Sequence, residues 1–188
     1  MKWRERKQML EDELLKWKLR RGSPEALTRV YEKYIDALLT LAMGLLDNRA
    51  AAEDVVQDVF LSFARSAKGL KSRGSLRSYL ATGVLNRVRD RRRQLHRQTV
   101  DLESVDEPVC RSAGPDQVAV LAEQIARLDQ AVAELPQEQR EVVLLRLKMD
   151  LKFRDIAKLQ QTSVNTVLGR YRYGVDRLRS LLNSEMEP

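Results

Sequence analysis

Between Ala51 and Phe63 apolar and polar positions recur at helical period. Val55, Val56, Val59, Phe60 and Phe63 form one stripe. Asp54, Gln57 and Asp58 form another, with Leu61 one turn on. The apolar stripe is expected to bury against neighbouring helices. The second face offers carboxylates and an amide around one exposed leucine, which suits docking of a basic partner; a plain solvated face is the alternative.

The same period runs through most of the chain. Glu11 to Arg20 reads as a short amphipathic helix with Leu14, Leu15, Trp17 and Leu19 available for burial, preceded by a basic stretch from Met1 to Lys7. Gly22, Ser23 and Pro24 are a stop and a start: a C-terminal cap, an N-cap and a first helical residue. The next helix, Glu25 to Leu46, carries Leu27, Val30, Tyr31, Tyr34, Leu38, Leu41, Ala42 and Leu45 at periods of three and four. A third helix is expected over about 50–67. Lys68 to Ser75 is a basic loop with glycines, open to close approach by phosphate or an unstacked base, or a simple interhelical turn. From Ser75 to Arg97, Leu76, Leu80, Val84 and Val88 step by four as a buried stripe. Asn86, Arg89, Asp90 and Arg93 share another face. Six arginines between Arg87 and Arg97 would be hard to pack against protein, and are expected to meet phosphates and bases.

Thr99 to Asp116 loses the helical period, contains Pro108, Gly114 and Pro115, and is acidic; it reads as a flexible linker. Beyond it, Val118, Leu121, Ile125, Leu128 and Val132 predict a helix. Pro136 opens another, running to about Leu147. Asp150 to Gln160 predicts a third, with Leu151, Ile156, Ala157 and Leu159 inward. Ser163 is the expected N-cap of a last helix reaching about Leu182. Its inner face is Val167, Tyr171, Val175, Leu178 and Leu182; Asn165, Thr166, Gly169, Arg170 and Tyr173 share the outer side. Two helices, a short turn and a basic outer face describe a helix-turn-helix. Arg170 suits guanine and Asn165 adenine in a major groove that admits one helix. A helical hairpin used only for packing is the alternative. The expected fold is all-α, with two small helical domains, 1–98 and 117–188, joined by an acidic linker at 99–116.

Charge sharpens this picture. The 188 residues carry a formal net charge of +7. Residues 1–98 hold +10, residues 99–135 hold −6 and residues 136–188 hold +3. Two basic blocks separated by an acidic one are the electrostatic footprint of phosphate binding. One cysteine, Cys110, excludes an internal disulfide and a CxxC metal site, and one histidine, His96, lies among arginines. No stretch approaches the ~20 apolar residues of a membrane span. The start of the chain is charged and lacks the apolar core of a secretion signal. A cytoplasmic protein without membrane insertion is expected, with no metal, no cofactor and no catalytic residues. A metal-dependent nuclease built on Glu53, Asp54 and Asp58 is disfavoured, because Glu53 and Asp54 point apart and no histidine supports them.

Taken together, these residues resemble bacterial RNA polymerase sigma factors, the extracytoplasmic-function (ECF) type within the sigma-70 family. The resemblance runs from about Asp12 to Leu182. Ala52 to Phe60 is similar to the region 2.2 pattern, which docks on the coiled coil of the polymerase beta-prime subunit. Tyr79, Leu80, Asn86, Asp90 and Arg93 resemble the helix that reads the minus-ten element. Leu135-Pro136, Gln139 to Val142, Asp155 to Ala157, Ser163, Thr166, Val167 and Arg170 resemble region 4, which reads the minus-thirty-five element. Departures are Tyr79, where the family often has Trp; Gly83, where it has a larger apolar residue; Gln161, where it has Gly; and Leu168, where it has Lys.

The resemblance implies a non-enzymatic factor that gives core polymerase promoter specificity and assists strand separation. Its implied partners are the beta-prime and beta subunits of core RNA polymerase, promoter DNA and, potentially, an anti-sigma factor. Asp54, Gln57, Asp58 and Leu61 would dock on polymerase. Lys71, Arg73, Ser75, Asn86, Arg89, Asp90 and Arg93 would take the minus-ten strand. Asn165, Thr166, Arg170 and Arg172 would face the upstream element, with Lys152 and Arg154 on its phosphates. A stand-alone helix-turn-helix regulator is the competing function; it has no need of the Asp54/Gln57/Asp58 face.

Overall fold

The structure, a computed structural model, describes residues 2–46, 48–70, 74–99 and 117–184. Among them are eight α-helices and no strand. The first lobe contains α1 (Lys2–Arg20), α2 (Pro24–Leu45), α3 (Arg49–Ser66), a 3-10 turn (Ala67–Gly69) and α4 (Leu76–Thr99). The second contains α5 (Gln117–Ala133), α6 (Gln137–Leu147), α7 (Phe153–Leu159) and α8 (Val164–Ser184). The expected linker falls almost wholly outside the described residues.

In the first lobe α2, α3 and α4 pack mutually, with α1 laid over α2 and the 3-10 turn. Ser23 caps α2 by accepting from the Ala26 N–H at 3.2 Å, and Pro24 is its first residue. Asn48 caps α3 through the Ala51 N–H at 3.0 Å. These caps set the phase at which each apolar stripe turns inward. The stripes of α3 and α4 are buried as the spacing predicts: Val55, Val56, Val59, Phe60 and Phe63 on one, Leu76, Leu80, Val84 and Val88 on the other. Gly83 is the contact point. A Cβ there would lie 3.0 Å from Val59 Cγ1, so a larger residue would require the Val59 side chain to give by a few tenths of an ångström.

α1 differs from expectation. It begins nine residues earlier than the pattern suggested, and Leu14 and Trp17 are 52% and 45% exposed. The buried stripe is instead Asp12, Leu15, Lys16 and Leu19. Two charged residues are tolerated because each finds partners from other elements. Asp12 accepts from Tyr34 Oη at 2.7 Å and from Lys33 Nζ at 2.9 Å. Lys16 Nζ donates to Glu13 and to the Gly74 carbonyl. Burial, and then the hydrogen bond to Asp12, push the Tyr34 hydroxyl above its ordinary range.

The second lobe is built around α6, whose Val142, Val143, Leu144 and Leu145 are all buried. An apolar stripe on one side needs one neighbour; apolar residues all round need several. α6 has α8 and α7 within its own lobe and α2 of the first lobe on its other side. Gly174 of α8 permits the approach to α6, since a Cβ there would lie 2.9 Å from Val143 Cγ2. In α5, Val132 is buried as expected, whereas Ile125 and Leu128 are 43% and 40% exposed. α7 starts at Phe153, three residues later than the pattern predicts, because Asp150 takes a positive φ of 44° and Leu151 N–H turns back to the Leu145 carbonyl. The turn from α7 to α8 passes through Gln161 at φ 52°, a left-handed conformation in a residue with a Cβ.

Gln161→Gly is therefore expected to stabilise the folded chain by about 0.5–1 kcal/mol, the relief of left-handed strain less the extra backbone entropy of glycine. Urea unfolding measures it; an unchanged or lowered midpoint would contradict the strain at Gln161.

Candidate functional site

With the apolar stripe of α3 turned inward, Asp54, Gln57, Asp58 and Leu61 are all exposed. Arg91 of α4 comes within 3.9 Å of Asp54, a loose solvent-exposed pair of little consequence for stability. Beside this face runs an apolar groove of about 680 Å³ between α2 and α3. Leu27, Tyr31, Ile35 and Leu39 line one wall; Val56, Phe60 and Leu61 line the other, with Gln57 at the rim. The Tyr31 and Phe60 rings lie 4.8 Å apart. The α2 wall was not anticipated. Its only signal was Tyr31, which falls on the periodic stripe of α2 yet stays 47% exposed.

On α4, Ser75 is exposed, and its Oγ accepts from the Ser78 N–H at 3.1 Å and caps the helix. Asn86, Asp90 and Arg93 project into solvent, with Arg93 donating to Asp90 at 3.5 Å. Tyr79 is held to α3, its ring 5.9 Å from Phe63 and its hydroxyl 3.2 Å from Ser66 Oγ. Lys71 and Arg73 lie outside the described residues. The arginines do not all share one nucleic-acid face. Arg92 donates to the Leu45 carbonyl at 2.6 Å, closing the C-terminus of α2. Arg87 donates to Ser62 Oγ at 3.2 Å. Guanidinium groups thus serve helix–helix contacts as well, because their five donors can satisfy carbonyls at helix ends.

Arg89 crosses to the second lobe. Its Nη2 donates to Glu141 Oε2 of α6 at 2.9 Å, and Glu141 is almost fully buried. Gln160 Nε2 donates to the same oxygen at 3.1 Å, and Gln160 Oε1 accepts from Arg170 Nη1 of α8 at 2.8 Å. Arg170 also pairs with Glu138. Arg170, expected on the outer side of α8, is therefore half-buried and turned back toward α6 and the α7–α8 turn. Periodicity could not find Glu141 and Gln160, which join Arg89 to Arg170. Their role comes from contacts across elements and not from any spacing.

The rest of the second lobe's candidate face is open. Ser163 caps α8 through the Thr166 N–H at 3.0 Å. Asn165 and Thr166 are exposed on its first turn, and Arg172 and Tyr173 further along. Lys152 and Arg154 are exposed at the start of α7. Phe153 packs edge-on to Tyr171 at 5.2 Å and fixes α7 against α8. A seven-residue helix, a four-residue turn and a long capped helix with a polar first turn make the helix-turn-helix geometry.

Comparison with known proteins agrees with this arrangement. The family model for Sigma-70 region 2 matches residues 30–98, and that for Sigma-70 region 4 matches residues 125–171. Together they cover more than half of the chain, one on each lobe. The chain belongs to the sigma-70 family, and its relatives place it with the ECF type. It is 27% identical over 138 residues to the ECF RNA polymerase sigma factor SigD of Mycobacterium bovis, a match covering 72% of this chain and 63% of that relative. It is 22% identical over 187 residues to the RNA polymerase sigma-H factor of Pseudomonas aeruginosa, covering 95% of each. In fold it is similar to CnrH, solved with the cytosolic domain of CnrY, with a TM-score of 0.69 at 22% identity over 93% of this chain and 98% of that one. It is likewise similar to RpoE of Bartonella quintana, solved with the anti-sigma factor NepR, with a TM-score of 0.66 at 22% identity over 83% and 96%. Among the described residues no helix is long and apolar enough to cross a membrane.

Proposed function

We propose that this chain is a transcription initiation factor of the cytoplasm that docks on core RNA polymerase through α3, takes the minus-ten strand on α4 and reads the minus-thirty-five element with α8. The observation that carries the reading is the co-occurrence of both matched regions, in order, with an exposed Asp54/Gln57/Asp58 face that a stand-alone DNA-binding regulator has no need of. The carboxylates and the adjoining groove suit a basic amphipathic coiled coil, such as that of beta-prime. The chemistry is binding, without covalent steps.

On α4 the reading rests on the mixture of Asn86, Asp90 and Arg93. Arginines alone attract any phosphate chain and carry no sequence. Asn86 offers donor and acceptor to a base edge. Asp90 accepts from an exocyclic amine or orients Arg93. Extracting a base from the stack costs a few kcal/mol, which such a face helps to offset. On α8, Asn165 and Thr166 sit where a recognition helix enters the major groove, with Lys152 and Arg154 set to hold phosphates. Arg170 reaches bases only after leaving Gln160 and Glu138.

Asp54→Lys with Asp58→Lys is expected to abolish co-purification with core polymerase while changing folding stability by no more than about 0.5 kcal/mol, because both side chains are in solvent. Undiminished recovery of polymerase by the folded double variant would sink the docking assignment. Asn86→Ala is expected to leave polymerase binding intact and to reduce promoter melting by the holoenzyme, read as permanganate reactivity of unpaired thymines. Melting equal to wild type would make α4 an electrostatic clamp and remove the base-reading role.

A further inference from the structure

Among the described residues four glycines lie inside α-helices, and three of them are contact points. A Cβ on Gly44 would lie 2.8 Å from Leu144 Cδ1, one on Gly83 3.0 Å from Val59 Cγ1, and one on Gly174 2.9 Å from Val143 Cγ2. Gly169 of α8 is the fourth. Beyond its own helix and its chain neighbours, a Cβ there would meet nothing within 4 Å. Its backbone is not left-handed either, since Gly22 is the only glycine with a positive φ among the described residues. Glycine in the second turn of a helix lowers its stability relative to alanine. Neither packing nor backbone geometry within the chain offsets that loss at Gly169, so the gap is open to something outside the chain.

The gap belongs to one ridge. Asn165, Leu168, Gly169 and Arg172 are spaced by three and four, on the side of α8 away from the buried Val167, Gly174 and Leu178. Leu168 is 42% exposed. A lone exposed leucine is ordinary on a protein surface. This one adjoins the helical glycine that has no packing contact, on a ridge that is otherwise polar. From Ser163 to Val175 there are two arginines and no acidic residue, which suits a groove flanked by phosphates. Asn165 and Leu168 are offset by ~4.5 Å along the helix axis, close to the ~3.4 Å rise of a base pair, so they address neighbouring pairs.

In the major groove thymine presents a C5 methyl group, where cytosine has only a hydrogen, and guanine presents the N7 and O6 acceptors. Leucine has no polar tip to reach outward. Its methyls meet the methyl of a base only when the helix backbone itself lies close to the base edges, and a missing side chain at the adjoining position permits that approach. Against guanine, leucine covers two acceptors and supplies no donor, which is unfavourable. We propose that Leu168 selects thymine in the upstream element by contact with its methyl group, and that Gly169 lets α8 sit deep enough in the major groove to make that contact. The proposal rests on the assignment of α8 to the upstream element.

The test uses holoenzyme assembled from core polymerase and the full chain. The probe is a promoter duplex that this holoenzyme uses on genomic DNA, its upstream element randomised and reselected by run-off transcription. Each thymine of the selected element, on either strand, is then replaced in turn by deoxyuridine, which removes the methyl group and keeps the pairing. With the parent chain, one replacement is expected to weaken binding about fourfold, the effect of one methyl lost from an apolar contact. With Leu168→Ala, the same replacement is expected to have no effect. Gly169→Leu is expected to hold or raise the urea midpoint, because its Cβ has open space and leucine favours helix. The same variant is expected to weaken promoter binding about tenfold, as the loss of a base contact does. Those opposite signs separate a groove contact from a defect in folding. An element without thymine, or one in which no methyl matters, would overturn the proposal. So would a methyl effect that Leu168→Ala leaves in full, or a Gly169→Leu chain that binds as tightly as the parent. A holoenzyme that selects no common upstream sequence refutes promoter reading by α8 altogether. One that selects an element insensitive to thymine methyls refutes only the role of Leu168.

Discussion

The contact between Gly83 and Val59 fixes the first lobe. With a hydrogen in place of a side chain at Gly83, α4 settles so close to Val59 that an added Cβ would lie 3.0 Å from its Cγ1. The buried stripe of α4 is then Leu76, Leu80, Val84 and Val88, which leaves Asn86, Asp90 and Arg93 facing out. The same packing commits Val55, Val56, Val59 and Phe63 of α3 to the interior and puts Asp54, Gln57 and Asp58 in solvent. Two separate exposed polar faces therefore follow from one choice of rotational phase between two helices. Glycine within a helix costs about 1 kcal/mol of intrinsic propensity, which close packing offsets here.

The second constraint is electrostatic. α4 is crowded with arginines, and like charges repel unless they are distributed among acceptors. Arg92 goes to a helix-end carbonyl, Arg87 to a hydroxyl, Arg89 to the buried carboxylate of the other lobe, and Arg93 stays outside with Asp90. The helix therefore serves as scaffold and interface together. The lobes are not independent beads in this state: four successive apolar residues of α6, Val142 to Leu145, are buried because the helix is packed from both lobes.

Much of this was legible along the chain. Period-three and period-four stripes gave α3 and α4 with the correct buried residues and α2 with all but Leu27, which is partly buried, and Tyr31, which stays exposed; Ser23 and Ser163 marked helix starts that their hydrogen bonds bear out. Helical periodicity gave the all-α class, and the eight α-helices without a strand among the described residues bear it out. What failed depended on partners distant in sequence. Leu14 and Trp17 were as apolar as Leu15 and Leu19, but α1 turns Asp12 and Lys16 inward because Tyr34, Lys33 and Gly74 satisfy them. Ile125 and Leu128 lie on a periodic face that stays exposed. The late start of α7 reflects a positive φ at Asp150, a local turn that hydrophobic spacing does not encode. For the site, exposure of Asp54, Gln57, Asp58, Asn86 and Asn165 followed from periodicity. The engagement of Arg89 and Arg170 by Glu141 and Gln160 did not, since it requires two lobes to meet. A faint signal was present in the unbroken run Val142 to Leu145, which is too apolar for a helix buried on one side.

The proposed roles of α3, α4 and α8 meet in one property, promoter specificity conferred on core polymerase. In vitro transcription of fragmented genomic DNA by core polymerase, with and without the purified chain and with start sites mapped by sequencing, tests it most directly. The chain is expected to add a limited set of new start sites that share one motif near minus ten and another near minus thirty-five. Start sites no different from those of core polymerase alone would contradict it.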